Sequence, residues 1–421
     1  MRRLRYLILI LIVLLCAAYL IVVWPLRDPH PLVHLEPGAL AVRDARVYTS
    51  PDAAPMEHGS VVVRDGLITA VAPDATIPAD ARVLPCGRCV VVAGFWNVHV
   101  HFTEPKWSWA AFKPASILNA QLADMLTSRG FTTIADVGSE PGVTLSLRRR
   151  IESGELLGPR IYTAGSAIFP PHGIPYYLKN TMPSYLLWLM PQPETPAEAA
   201  RSVESNIARG ADLLKLFTGS YIGRGNVLPM PEPIARAAVE VAHRHHQLAF
   251  SHASNLAGTQ VAIAARVDVL AHAPDSPDGI DETLLRTLVE RRMGMIPTLK
   301  MFATTVSKNA AYLQPIYNEV RKFHELGGQL LFGTDVGYMH EYSTEDEFRA
   351  LARSGLNGRD ILRMLTTAPA ERFGVAHELG TLAPARRGDF VILDRDPMED
   401  VSAFASVRCT VRHGRVLYTR R

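Results

Sequence analysis

The chain has 421 residues, 48% of them hydrophobic and 20% charged, with a formal net charge of +3. That composition can bury a large core and supply two folded units, and it excludes an intrinsically disordered protein. Arg2, Arg3 and Arg5 account for the whole positive excess, so the remaining chain has no basic surplus with which to hold nucleic acid.

These three arginines precede an uncharged apolar run over residues 6–24, nineteen residues and long enough to cross a bilayer. A cleaved signal peptide has a shorter apolar core and a small-residue cleavage site, whereas this run continues through Val22, Val23 and Trp24 to Pro25. The pattern predicts a retained N-terminal transmembrane helix, a membrane anchor within residues 1–28. Arginines stay on the cytoplasmic side, so the rest of the chain is expected outside the cytoplasm, in the periplasm if the source is bacterial.

Residues 37–93 alternate apolar runs with turn signals such as "RDG", and residues 376–421 do the same with "RHG". Neither piece can close a sheet alone, so the two are expected to pair into one small composite β-sandwich. Of the four cysteines, only Cys86 and Cys89, in "CGRC", are close in sequence. One such pair without a second argues against a zinc ribbon, and no thioredoxin-like pattern surrounds it. Outside the cytoplasm the pair could form a local disulfide or remain two inert thiols.

Between the flanks, residues 94–375 begin with "GFWNVHVHF". In a strand His99 and His101 project to the same side while Val98, Val100 and Phe102 pack the other way, so both imidazoles could grip one ion. Further β-type runs follow at 131–138, 160–166, 213–217, 248–252, 267–273, 294–299 and 330–335. Segments with helical spacing separate them, such as the one placing Ile117, Leu118, Leu122, Met125 and Leu126 on one face. Eight strands alternating with helices over about 270 residues predict a (β/α)8 TIM barrel. Two aromatic, proline-rich loops, 103–114 and 167–195, follow the first and third strands and are expected to rim the barrel mouth. His172 and Tyr221, just past strands three and four, are candidates for touching the substrate carbonyl or carboxylate.

Reactive groups of a TIM barrel sit at the C-terminal ends of its strands. Strand one ends with His99 and His101, strand four carries Lys215, strand five ends with His252, strand six with His272 and strand eight with Asp335. Each alone has an ordinary explanation: a satisfied core histidine, a buried ion-pair partner, a helix cap. Together they suit divalent cations, and six groups are too many for one open site of three protein ligands and a water. A neutral, desolvated Lys215 beside cations could take up carbon dioxide, and the resulting carbamate has two oxygens able to bridge two ions.

The segments "VVAGFWNVHVHF", "GADLLKLFTGS", "FSHASN", "LAHAPD", "LFGTDVG" and "RRGDFVILDRDP" resemble the motifs of the amidohydrolase superfamily, over about residues 38–421. The likeness is greatest to its imidazolonepropionase-like and prolidase-like group, which has a carboxylated lysine on strand four. One departure is Ala93-Gly94, where Pro-Gly is usual. The resemblance implies two divalent ions, Zn2+ foremost. His99, His101 and Asp335 would bind one, His252 and His272 the other, and carboxylated Lys215 would bridge both. Water held between two such ions is acidic enough to attack a carbonyl near neutral pH, with Asp335 carrying the proton. The expected protein is a membrane-anchored hydrolase of an amide or similar C–N bond in a small molecule, a dipeptide or N-acyl amino acid foremost. A lactonase, phosphotriesterase or deaminase on the same scaffold is the alternative, and a non-catalytic binding protein the more distant one.

Overall fold

A computed structural model describes residues 2–22, 34, 37–181, 184–276 and 278–420. Its first element is the helix Arg2–Val22, in which Tyr6 and the large apolar side chains at 8–15 are exposed. Among the described residues no helix is long and apolar enough to cross a membrane. Positions 23–28 of the expected anchor, and many side chains of its helix, lie outside the described residues.

The flanks join in one eight-stranded sheet. It contains β1 (Ala39–Val47), β2 (Met56–Arg64), β3 (Leu67–Ala72), β4 (Arg82–Leu84) and β5 (Val90–Ala93) from the N-terminal flank. The C-terminal flank adds the last three strands of the chain, Phe390–Leu393, Val407–Arg412 and Arg415–Thr419, which pair onto β5 through the first of them. The two flanks are thus joined in one continuous hydrogen-bonded sheet. The physical reason lies in β1, whose register shifts between Val42 and Val47. On one edge this strand pairs with β4 over Leu40, Ala41 and Val42, and then with β5 over Arg46 and Val47. Such an irregularity bends the strand, so one strand serves two neighbours in turn. Val42, Val47, Val61 and Val63 share a core with Phe390, Ile392 and Val411 from the other flank. Cys86 and Cys89 form a disulfide at the turn into β5.

The barrel follows directly. Its first three strands, β6 (Phe95–Val100), β7 (Phe131–Asp136) and β8 (Arg160–Thr163), are parallel, and every residue of β6 and β7 is buried. Burial on both faces explains their unbroken apolar character. The fourth strand, β9 (Leu213–Phe217), is followed by a hairpin that the sequence reading missed, β10 (Gly219–Gly223) and β11 (Asn226–Pro229). Then come β12 (Leu248–His252), β13 (Val269–Leu270) and β14 (Gly294–Met295), parallel to β9 in the order β14-β13-β12-β9.

The eighth predicted strand forms single bridges and hydrogen bonds rather than a regular strand. Leu331 N–H donates to Met295 on one side, while Val98 and His101 N–H groups donate to Phe332 and Val336 on the other. Ile168 pairs with Leu216 to close the gap between β8 and β9. Trp96, Val98, Ala135, Leu213, Phe250 and Leu331 fill the inside of the barrel. The flanking sheet is tied to the barrel by Arg412, whose guanidinium holds both oxygens of Glu152 at 2.6 and 2.7 Å where both side chains are buried.

Candidate active site

His99 lies in β6 and His101 just beyond it, 1% and 16% exposed, and Asp335 reaches the same point from the segment that closes the barrel. Asp335 Oδ1 is 3.1 Å from His101 Nε2 and 3.4 Å from His99 Nε2. Ligand atoms of these three residues lie within 4.8 Å of one another. The rings of His99 and His272 are 4.5 Å apart, and those of His272 and His252 are 4.6 Å apart, so the imidazoles run in a row from His101 to His252.

Neighbouring oxygens decide which ring nitrogen each histidine presents. His99 Nδ1 donates to Ala271 O at 2.7 Å and His101 Nδ1 donates to Gly138 O at 2.8 Å, because a carbonyl can only accept. Thr298 Oγ1 gives its proton to Pro297 O and so accepts from His272 Nδ1 at 2.7 Å. All three rings therefore turn Nε2 toward the cluster, the arrangement by which neighbouring oxygens orient metal-ligating histidines.

Burial, then the nearby Lys215 and His101, pushes His99 well below the usual histidine range. Burial pushes His252 and His272 the same way. On His101 burial opposes the charge, but Asp335 and Asp136 outweigh it and raise its pKa.

A cation fits this donor set. Asp335 Oδ1 is buried, its near neighbours among the described residues are the two imidazoles, and the lone pair of neutral His99 faces it. Two atoms bound to one ion at about 2.0–2.1 Å sit about 3.0–3.4 Å apart, which is the separation found here.

Lys215, on β9, is 1% exposed, and burial lowers its amine to about 7 against the opposing pull of Asp335. Among the described residues its Nζ makes no ion pair; it lies 5.5 Å from the centre of the Phe217 ring, which stacks on His252.

Residues 90–417 match the profile of the Amidohydrolase family. The chain belongs to the amidohydrolase family. It is a metal-dependent hydrolase acting on carbon–nitrogen bonds. Among curated proteins it is 23% identical to the ochratoxinase of Aspergillus niger, over 90% of this chain and 86% of that protein. Among solved structures it resembles a Xaa-Pro dipeptidase with bound methionine, with TM-score 0.76 and 22% identity over 91% of this chain and all of that one. A putative prolidase from Bifidobacterium longum has TM-score 0.75 and 24% identity over 93% and 97% of the two chains.

The other sequence candidates of this amidohydrolase fall differently. His172 has a left-handed backbone and a side chain 89% exposed, 4.0 Å from Glu194, which sets it apart from the buried cluster. Tyr221 lies on β10 and donates its hydroxyl to Asp275 at 2.9 Å. Of the aromatic residues expected on the rim, Trp109 and Trp188 are exposed. Trp107 instead lies in the core, its ring 5.0 Å from Phe102.

Several supporting residues escaped the sequence reading. Asn97 Oδ1 accepts from the His99 and Thr334 N–H groups, joining strands one and eight beneath the site. Asp136 accepts from Gly138 N–H, Ser139 and Thr144, shaping the turn whose carbonyl holds His101. Thr298 has φ +49, uncommon for a β-branched residue, and buried Glu347 holds the following turn by accepting from Leu299 and Lys300 N–H at 3.0 and 2.6 Å. Asp136 and Thr298 both stand at strand ends, a position that could have flagged them.

Proposed function

We propose that this protein hydrolyses an amide bond of a small molecule, of dipeptide or N-acyl amino acid type. In this reading His99, His101 and Asp335 hold one divalent ion, most simply Zn2+. His252 and His272 would hold a second, with carboxylated Lys215 as a ligand to both. The observation that carries it is the buried Asp335 Oδ1 set 3.1 and 3.4 Å from the Nε2 atoms of two histidines whose other nitrogens are already engaged. The likeness to a Xaa-Pro dipeptidase supports the dipeptide class.

Divalent ions bound there would supply an activated water and polarise the scissile carbonyl. Asp335 then takes the proton of the attacking water and delivers it to the leaving nitrogen. Lys215, neutral when desolvated, adds through Nζ to carbon dioxide and releases one proton, leaving a carbamate with two ligand oxygens. Asn97, Thr298 and the Ala271 and Gly138 carbonyls keep the imidazoles oriented while the proton moves.

Zinc-loaded protein is expected to cleave members of a panel of dipeptides and N-acyl amino acids and to lose that activity, reversibly, on chelation. Turnover confined to lactones, phosphotriesters or ring-deaminated substrates would overturn the amide reading, since the same activated water attacks those centres too.

The same reading includes a membrane anchor, with the hydrolase outside the cytoplasm. Support comes from the uncharged run at 6–24, about 28 Å long as a helix at about 1.5 Å per residue, and from the exposed apolar side chains at 8–15. The full chain should sediment with membranes, and a chain lacking residues 1–28 should be soluble with unchanged kcat/KM. Full-length protein with an intact N-terminus in the soluble fraction would refute the anchor.

A further inference from the structure

Asp275 lies three residues past His272, in the loop that follows the sixth barrel strand. Its Oδ1 accepts from Tyr221, in the hairpin after the fourth strand, at 2.9 Å. Its Oδ2 accepts from Tyr312, in the first turn of the helix Ala310–Glu325 after the seventh strand, at 3.0 Å. Loops that follow parallel barrel strands open on one face, so three separate loops bring this carboxylate to the mouth that also holds His99 and Asp335. Both oxygens accept, as suits an ionised carboxylate.

Among the described residues no lysine, arginine or histidine forms an ion pair with Asp275, and burial raises its pKa even though two hydroxyls oppose the rise. Glu319, on the same helix as Tyr312, is 6% exposed, and among the described residues neither of its carboxyl oxygens has a hydrogen-bond partner. Burial and the charge of Asp275 together raise its pKa. Tyr338, three residues past Asp335, continues a run of rings with Tyr177 and Tyr176, at separations of 5.4 and 5.7 Å. Burial first, and then the charges of Tyr338, Asp335 and Asp275, raise the pKa of Tyr177. Tyrosine faces attract cations, and a desolvated carboxylate pairs strongly with an ammonium donor.

We propose that Asp275, held by Tyr221 and Tyr312, anchors a subsite for a primary ammonium group of the substrate. The inference rests on the amide-hydrolase reading and narrows it. Dipeptides and amides of lysine carry such a group, whereas N-acyl amino acids with neutral side chains do not. Tyr221, with its hydroxyl engaged by Asp275, serves the ammonium rather than a substrate carboxylate.

Two matched pairs separate the sources of the ammonium. Glycyl-phenylalanine against acetyl-phenylalanine reports on an α-ammonium, and acetyl-lysine against acetyl-norleucine on a side-chain ammonium. In the zinc-loaded full chain the ammonium-bearing member of one pair should show roughly tenfold to a hundredfold higher kcat/KM, the scale of a charge-assisted hydrogen bond. Asp275→Asn should erase that ratio, mainly through KM. Equal values within both pairs in the wild type, or a ratio that survives in Asp275→Asn, would overturn the subsite.

Calorimetric binding of benzylammonium against benzyl alcohol needs no turnover. Wild type should favour the ammonium by roughly tenfold or more, and Asp275→Asn should not. If no amide is cleaved yet this preference holds, the amide reading fails and the subsite stands. If amides are cleaved and benzylammonium is not preferred, the subsite falls. The wild-type arms decide the matter even if Asp275→Asn does not fold.

Discussion

Asp335→Asn is expected to fold and melt as the parent does and to turn substrate over roughly a hundredfold or more slowly, the scale of lost general acid–base catalysis. The swap is nearly isosteric, and the backbone at this position is left-handed, with φ +59, a conformation that asparagine tolerates well. What changes is chemistry. A carboxylate can accept the proton of the attacking water and return it to the leaving nitrogen, and an amide cannot. The amide is also the poorer ligand beside the Nε2 atoms of His99 and His101, so metal content should fall as well. Single-turnover rates, metal analysis and thermal melts on one preparation separate these effects. Wild-type turnover in the variant would remove Asp335 from the proton path.

Lys215→Ala should lose both metal and activity, and a short carboxylate such as acetate or propionate at high concentration should restore part of each. The side chain is almost fully buried in the barrel among His99, His101, His252 and His272, without an ion-pair partner among the described residues. An ammonium there would repel two cations, whereas a carbamate would supply one oxygen to each. An added carboxylate can stand in for those oxygens once the truncated side chain leaves room. Lys215→Arg should fail without rescue, because a guanidinium stays charged and forms no carbamate. If Lys215 were instead a structural cation, arginine would serve and carboxylate would do nothing. Metal analysis with and without acetate decides between the two, as does electron density at the Lys215 Nζ.

Much of the architecture is legible in short stretches of sequence because its signals are local. The paired histidines of the first strand mark its end as a site, although an irregular register between Asn97 and Val100 sends Val98 into the core inside the barrel and Val100 and Phe102 into the other core. Unbroken apolar runs mark strands buried on both faces, and the alternation of such runs with helical spacing marks the barrel. Local signals fail where a residue's environment comes from elsewhere in the chain. Trp107 reads as a rim aromatic in a proline-rich loop, yet that loop folds back and buries it on Phe102. The alternation in the two flanks says that they pair but not how: the irregularity in β1 lets that strand serve β4 and β5 in turn and joins both flanks in one sheet.

By itself, then, the sequence determined the barrel and the polar groups carried at the strand ends, because side-chain direction along a strand and the alternation of strands with helices follow from short-range periodicity, while the family came from the resemblance of its motifs. Only the tertiary structure decided how those groups are held. Asn97 joins Thr334 across 237 positions, His99 donates to Ala271 across 172, and His272 is oriented by a threonine whose turn is fixed by Glu347. It likewise decided that Tyr221 faces Asp275, 54 positions away, and that His172 stands in solvent. Such pairings depend on barrel closure, which brings distant loops to one face, and no periodicity within a loop encodes which partner it will meet there.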